Sequence, residues 1–259
     1  AQRRQPSPYP QGDRLATLDY IRDSGKVHFT DTTPRDFTQS NSGNRFRLAE
    51  DRLIGPYLDN VGYFSIENGG GAHFHVAMLA NMTYPFTEAK EWNRFAPKTM
   101  KQILIRSTNV LGYKPQPKNL MQRMAEKICE EYHVIRCFDF LNHVENMKPF
   151  AEVVLNTQGV LFEPAISLTP APHFTVDHYI DVAAQIIRQS AKIMGLTPTE
   201  ATRLIILGLK DMGGVCPPRF NRELVSALRG AAVRRISLKE RTLEDVFISL
   251  TGADRKSVV

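Results

Sequence analysis

The sequence predicts an α/β fold built on a parallel sheet, and three observations carry that prediction. Six apolar, β-branched runs alternate with amphipathic helical stretches along the chain. The runs are nearly continuous in apolar character, as strands covered on both faces must be. Several of them end in polar or ionisable residues, which is where a barrel of parallel strands keeps its chemistry. A set of polar strand ends favours a barrel, with a doubly wound open sheet as the alternative. The 259 residues suffice for one large domain of barrel size.

Residues 1–26 read as a polar arm with a first helix, and the first strand follows over 27–33. The remaining strands are expected over 63–67, 102–106, 134–140, 160–167 and 204–209, each rich in Ile, Val, Leu or Phe. Between them, 48–58 carries apolar residues at helical spacing, and 77–95 is helical with a break near Pro85. Leu120, Met124, Ile128 and Tyr132 step at i, i+4 through a helix over 119–132. A helix over 176–194 has Asp177 near its start, where an acid suits the helix dipole. Thr197-Pro198-Thr199-Glu200 reads as an N-cap with Pro at the first helical position, and 219–228 is the last clear amphipathic helix.

Composition narrows the function classes. With 42% hydrophobic and 23% charged residues, the chain reads as an ordinary soluble domain, and no apolar run is long enough to span a bilayer. The polar, Pro-rich stretch 1–12 lacks the apolar core of a secretory signal. Cys129, Cys137 and Cys216 are scattered without C-x-x-C spacing, so they read as reduced thiols in a cytoplasmic protein. The net charge of +6 is concentrated in Arg3-Arg4 and over 229–241, with acids and bases mixed elsewhere, which does not suggest a nucleic-acid partner.

Several groups could carry chemistry. Arg35, Asp36 and Gln39 follow the first strand; an Asp there can bind a divalent cation, and an adjacent Arg can clamp an anion. The same spacing fits a loop in which these side chains only satisfy caps and backbone groups. Lys210 ends the sixth apolar run beside Asp211, either as a buried amine able to add carbon dioxide or as half of a rim ion pair. Arg106 ends the third strand and could hold a carboxylate across the barrel mouth. His73 and His75 would form a metal pair only in an extended segment, and the flanking residues suggest a helix start, which sends them to opposite sides. The glycines at 69–71 are not a phosphate loop, since no G-K-[ST] follows.

Taken in order, Asp31-Thr32-Thr33-x-Arg35-Asp36-x-x-Gln39-Ser40, Gly70-Gly71-Ala72, Leu104-Ile105-Arg106-Ser107-x-Asn109-x-x-Gly112-Tyr113, Phe138-Asp139-x-Leu141-Asn142-x-x-x-Asn146-Met147 and Lys210-Asp211-Met212-x-Gly214 resemble a known family. It is the carboxyltransferase domain of biotin-dependent carboxylases, of the pyruvate carboxylase, oxaloacetate decarboxylase α subunit and transcarboxylase 5S type. The resemblance covers residues 27–229 and implies an incomplete TIM-type (β/α)8 barrel with about six βα units. It also implies carboxyl transfer between carboxybiotin and pyruvate, or a related 2-oxo acid, through a metal-stabilised enolate. By the same resemblance Asp36 and a carbamylated Lys210 bind a divalent metal of the Zn, Mn or Co class. Arg106, helped by Arg35 and Gln39, holds the substrate carboxylate, and Tyr113 and His75 face biotin. Biotin would arrive on a separate carrier domain or subunit, and the intact parent would be an oligomer.

Three departures bear on activity. His75 stands where the family often has an acid. The His-x-His that supplies two metal ligands in the family's next strand is missing, because no histidine follows Arg229. Residues 230–259 look foreign to the barrel. Arg241-Thr242-Leu243-Glu244-Asp245-Val246-Phe247-Ile248-Ser249-Leu250-Thr251-Gly252 resembles the end of a transporter ATPase subunit, and Asp254 to Val259 resemble sequencing-adapter read-through. The chain is therefore expected to show little turnover. The alternatives are a metal-dependent lyase of the hydroxymethylglutaryl-CoA lyase type and a non-catalytic fragment.

Overall fold

Each of the six apolar runs contributes a strand to one parallel sheet in the computed structural model, which describes residues 9–110, 112–169 and 171–230 and the backbone of 236–239. The order is β1 (Thr30–Asp31), β2 (Ser65–Gly70), β3 (Met100–Arg106), β4 (Val134–Asp139), β5 (Leu161–Leu168), β6 (Leu207–Asp211) and β7 (Ile236–Lys239), each paired to the next in parallel. The sheet curls into an incomplete barrel. β7 lies within the segment that the sequence reading set apart from the barrel, so the sheet edges among the described residues are β1 and β7. Arg3-Arg4 and the motifs after residue 239 fall outside the described residues.

Helices cover the outer face. They are α1 (Arg14–Asp23), α2 (Thr38–Ser42), α3 (Leu48–Leu58), α4 (Gly71–Leu79), α5 (Pro85–Phe95), α6 (Lys118–Glu131), α7 (Lys148–Val154), α8 (Val176–Met194), α9 (Pro198–Ala201) and α10 (Pro218–Gly230). Alternation along each strand decides which way a side chain points. Ile103 and Ile105, Ile135 and Cys137, Phe162 and Ile166, and Leu207 and Leu209 join the main core, which also takes in Met121, Phe150, Ile186 and Leu228 from the helices. Pro85 starts α5 instead of kinking one long helix, as a proline at a first helical position should. Thr197 and Glu200 close a reciprocal capping box at α9.

The amino ends of the strands are closed by Tyr9 and Leu18, packed on Phe64, Met100, Val134, Leu161 and Ile206. Arg14 locks this floor. Its guanidinium donates to the carbonyls of Val154, Leu155, Thr157 and Val160 at 2.8–3.0 Å, satisfying acceptors at the end of α7. All three cysteines are free. Burial pushes the Cys129 and Cys216 thiols up to about 11 and Cys137 to about 12, which makes them poor nucleophiles.

One buried cluster fastens α3, α4 and α5 together. His73 Nε2 lies 3.3 Å from Glu88 Oε2, Thr83 Oγ1 donates to Glu88 at 2.6 Å, and Trp92 Nε1 donates to Asp51 at 3.1 Å. Burial pushes the Asp51 carboxyl up to about 6, against the opposing Trp92 hydrogen bond and His73. A folded pKa above the unfolded one favours folding fully below the unfolded value, and that benefit is lost as pH rises through the folded value. Asp51→Asn keeps an acceptor for Trp92 and removes the ionisation. It should stabilise the fold by about 2–3 kcal/mol at pH 7–8, a gain that shrinks to nothing near pH 4. Urea denaturation across that range checks this; a gain independent of pH would contradict it.

Candidate active site at the carboxyl ends of the strands

The inner face of the sheet begins with a layer of buried charge. Glu67 on β2, Gln102 on β3, Arg136 on β4 and Glu163 on β5 all point inward and are almost wholly buried. Arg136 Nη1 lies 2.8 Å from Glu67 and its Nε 2.9 Å from Glu163. Gln102 Nε2 donates to Glu163 at 3.1 Å and to Glu67 at 3.3 Å, while its oxygen accepts from Ser65 Oγ at 2.6 Å. One residue pair further along the strands, Leu104, Phe138 and Ala165 pack as an apolar layer over these charges. Beyond that layer come the strand ends and the residues of interest.

Arg35 enters this interior from β1. Asp31 accepts from the Thr33 amide and hydroxyl, and the chain then makes a wide π-helical turn over Thr33–Phe37 that places Pro34 and Arg35 in the core. Arg35 Nε pairs with Glu67, and Nη1 lies 2.9 Å from Asp36. Its Nη2 is buried without a hydrogen-bond partner, a donor oriented for a ligand. The glycines of β2 make room. A Cβ at Gly69 would run into the Tyr132 hydroxyl, and one at Gly70 would lie 3.0 Å from Arg35 Cδ. The register shift between Glu67 and Gly69 is a bulge that turns the end of β2 toward Arg35.

At the next strand ends, Arg106 pairs in register with Phe138, and its guanidinium sits 4.9 Å from the ring centre of Tyr113. Lys210 is 6% exposed, and its Nζ lies 5.1 Å from the ring centre of that same Phe138. Arg106 and Lys210 therefore both neighbour Phe138, one as its register partner and the other at its ring face, although they lie 104 positions apart in sequence. Asp36 is half exposed beside Arg35, and Gln39 is exposed on α2. His75 is half-buried on α4, whose helical turn separates it from His73 as the sequence suggested. Asp211 turns outward and accepts from the Cys216 amide at 2.8 Å.

Glu67, Gln102, Arg136 and Glu163 were not among the sequence candidates. Their signal is a charged or amide residue at the inward phase of an otherwise apolar strand, as in Val134-Ile135-Arg136-Cys137-Phe138. Among the described residues no three His, Cys, Asp or Glu side chains gather to hold a metal ion. With Asp36 engaged by Arg35 and only Lys210 to join it, the donors present do not fit a resident divalent ion, which takes three protein ligands in a catalytic site.

A curled parallel sheet with cationic and polar side chains collected at its carboxyl end defines a (β/α)-barrel domain. No family model matches the chain. A pyruvate carboxylase subunit from Methanothermobacter thermautotrophicus is 30% identical over 204 residues, covering 78% of this chain and 34% of that protein. Mitochondrial pyruvate carboxylase of Rattus norvegicus is 32% identical over 218 residues, 81% of this chain and 17% of its own length. The 2-oxoglutarate carboxylase large subunit of Hydrogenobacter thermophilus is 28% identical over 196 residues, 73% of this chain and 30% of its own. The carboxyltransferase domain of Rhizobium etli pyruvate carboxylase superposes with a TM-score of 0.79 at 26% identity, over 92% of this chain and 40% of that one. The same domain solved with pyruvate and biocytin gives 0.76 at 26%, over 92% and 41%. The chain belongs to the pyruvate carboxylase family of carboxyltransferase domains and spans about a third or less of the length of these curated relatives.

The buried layer makes a stability prediction. Glu67→Gln removes the carboxylate shared by Arg35 and Arg136, and stripping one partner from a buried ion pair costs about 3–5 kcal/mol. Urea denaturation should show a loss of that size. A change within about 0.5 kcal/mol, the range of an ordinary surface substitution, would contradict this role.

Proposed function

We propose that this chain is the substrate-side part of a biotin-dependent carboxyltransferase whose intact parent moves a carboxyl group between carboxybiotin and pyruvate or a related 2-oxo acid. The observation that supports this reading is that Phe138 has Arg106 as its register partner and Lys210 at its ring face, with the unpartnered Nη2 of Arg35 at the same end of the sheet. A planar guanidinium can grip a carboxylate through two parallel hydrogen bonds, which orients the keto acid as well as binding it. Arg106 takes that role, Arg35 and Gln39 assist, and Lys210 faces the reacting end. Tyr113 and His75 lie toward the biotin delivered by a carrier domain or subunit. A relative that carboxylates 2-oxoglutarate leaves the acceptor's length open.

In this reading residues 27–229 are the functional barrel segment and 230–259 a foreign tail. The parent holds a divalent metal, of the Zn, Mn or Co class, through Asp36 and a carbamylated Lys210 together with ligands absent here. A bound ion would act as a Lewis acid on the keto oxygen. This chain instead binds and orients the acid with little or no turnover. Its thiols fit a cytoplasmic setting, and no described helix is long and apolar enough to cross a membrane.

Calorimetry with pyruvate should show binding that Arg106→Ala weakens by about tenfold or more, the worth of a charge-assisted hydrogen bond. Addition of carboxybiotin, pyruvate and Mn²⁺ should give far less oxaloacetate than an intact homologue gives. Turnover comparable to that homologue, or pyruvate binding indifferent to Arg106, would overturn the reading. Cleavage of a hydroxymethylglutaryl thioester would favour the lyase alternative.

A further inference from the structure

The segment from Asp139 to Asn146 takes no part in the chemistry proposed above, yet its side chains are spent on neighbouring strand ends. Asp139, the last residue of β4, is buried and its carboxylate accepts four hydrogen bonds, each 3.0 Å long. Two come from the Leu141 and His143 amides of its own turn and one from Asn146 Nδ2. The fourth comes from Ser107 Oγ, on the residue directly after Arg106.

Asn142 works on the other side of β4. It adopts φ 58°, a left-handed conformation that asparagine tolerates better than other non-glycine residues. From there its amide meets both backbone groups of Ser167 on β5: Nδ2 donates to the carbonyl at 2.9 Å, and Oδ1 accepts from the N–H at 2.8 Å. Ser167 Oγ donates in turn to the Asp139 carbonyl at 3.1 Å. An asparagine side chain carries a donor and an acceptor arranged like those of a peptide group, so it can stand in for a missing strand residue.

The registers show what these contacts add. The ladder between β3 and β4 ends at Arg106 and Phe138, and the ladder between β4 and β5 ends at Asp139 and Ile166. The Ser107–Asp139 contact extends the first by one rung. The Asn142 amide extends the second by one rung, at Ser167, which is the register partner of Lys210 on β6. Both extra rungs fall at the level of the two site residues; β5 and β6 are already paired there, Ser167 with Lys210 and Leu168 with Asp211, so the Asn142 contact ties that pair back to β4.

We propose that Asp139 and Asn142 are positioning residues that set the separation of Arg106 and Lys210 around Phe138, Asp139 by fixing the end of β3 against β4 and Asn142 by fixing the end of β5, with its partner β6, against β4. This rests on reading Arg106 as the carboxylate-binding residue and Lys210 as the group at the reacting end. Neither positioning residue touches substrate.

Asn142→Gly tests the proposal cleanly, because glycine accepts the left-handed backbone and removes only the side-chain rung. The Lys210 ε-methylene lies near the Phe138 ring, so its NMR resonance carries a ring-current shift, assigned by its loss in Phe138→Leu. In the full chain, Asn142→Gly should reduce that shift markedly and weaken pyruvate binding by about tenfold, while the folded fraction keeps its far-UV circular dichroism. A merely structural asparagine would lower the melting temperature and leave the Lys210 resonance and the affinity of the folded protein unchanged; that result overturns the proposal. Should Asn142→Gly fail to fold, Asn142→Asp keeps the acceptor for the Ser167 amide and loses the donor. It should give a smaller change of the same sign, and a wild-type Lys210 resonance there also overturns the proposal. If wild-type protein does not bind pyruvate, the functional reading fails, while the Lys210 resonance still decides whether Asn142 positions it.

Discussion

The interaction on which the rest of this structure depends is the pairing of Glu67 with two guanidiniums, Arg35 from the turn after β1 and Arg136 from β4, inside the curled sheet. Each of these charges is nearly inaccessible to water. A buried ion is tolerated only when its hydrogen-bonding capacity is met by fixed partners, so the three strands must keep their relative positions for the interior to be stable at all. Glu163 and Gln102 complete the layer and extend the same requirement to β3 and β5. A wholly apolar interior would be easier to fill, but it would specify the spacing of the strands less tightly. The charges exchange some stability for a defined geometry.

That geometry is transmitted to the rim. Arg35 is held through Glu67 below and beside Asp36, and it lies against Gly70 where any larger residue would crowd it. Phe138 separates the charged layer from the mouth and supplies a ring face beside Lys210. Cationic groups at the mouth are thus placed over low-dielectric side chains, where an anion's attraction to them is screened less than at an open surface. Arg106 and Lys210 stand on the sheet itself, and Arg35 stands on the turn that follows β1.

Much of the fold was legible because it follows from local periodicity. The helices over Leu48–Leu58 and Val176–Met194 begin and end where their apolar spacing and flanking residues say they should. The elements that escaped are those whose causes are distant in sequence. α7 is a seven-residue segment that is apolar along most of its length, and part of what secures its end is Arg14, about 140 residues earlier. β1 is only two residues long because it pairs on one side alone and then enters the π-helical turn that buries Arg35. Gly69 and Gly70 looked like a break before a helix, yet they are the end of β2, left bare so that Tyr132 and Arg35 can approach. Of the site, the strand-end residues Arg35, Arg106 and Lys210 could be named from sequence, whereas the relation of Arg106 and Lys210 to Phe138 and the charge layer beneath needed the tertiary structure. The side-chain rungs from Asp139 and Asn142 were equally invisible, since spacing within one turn does not reveal which neighbouring strand it binds.

The central claim is that strand ends from separate parts of the chain assemble one carboxylate-binding mouth. The most direct measurement is a crystal structure of the chain soaked with oxamate, a planar mimic of pyruvate that cannot react. The account predicts density for its carboxylate against the guanidinium of Arg106, within reach of Lys210 and above the Phe138 ring. Oxamate bound elsewhere on the surface, or Arg106 and Lys210 turned away from each other on opposite sides of the sheet, would contradict it.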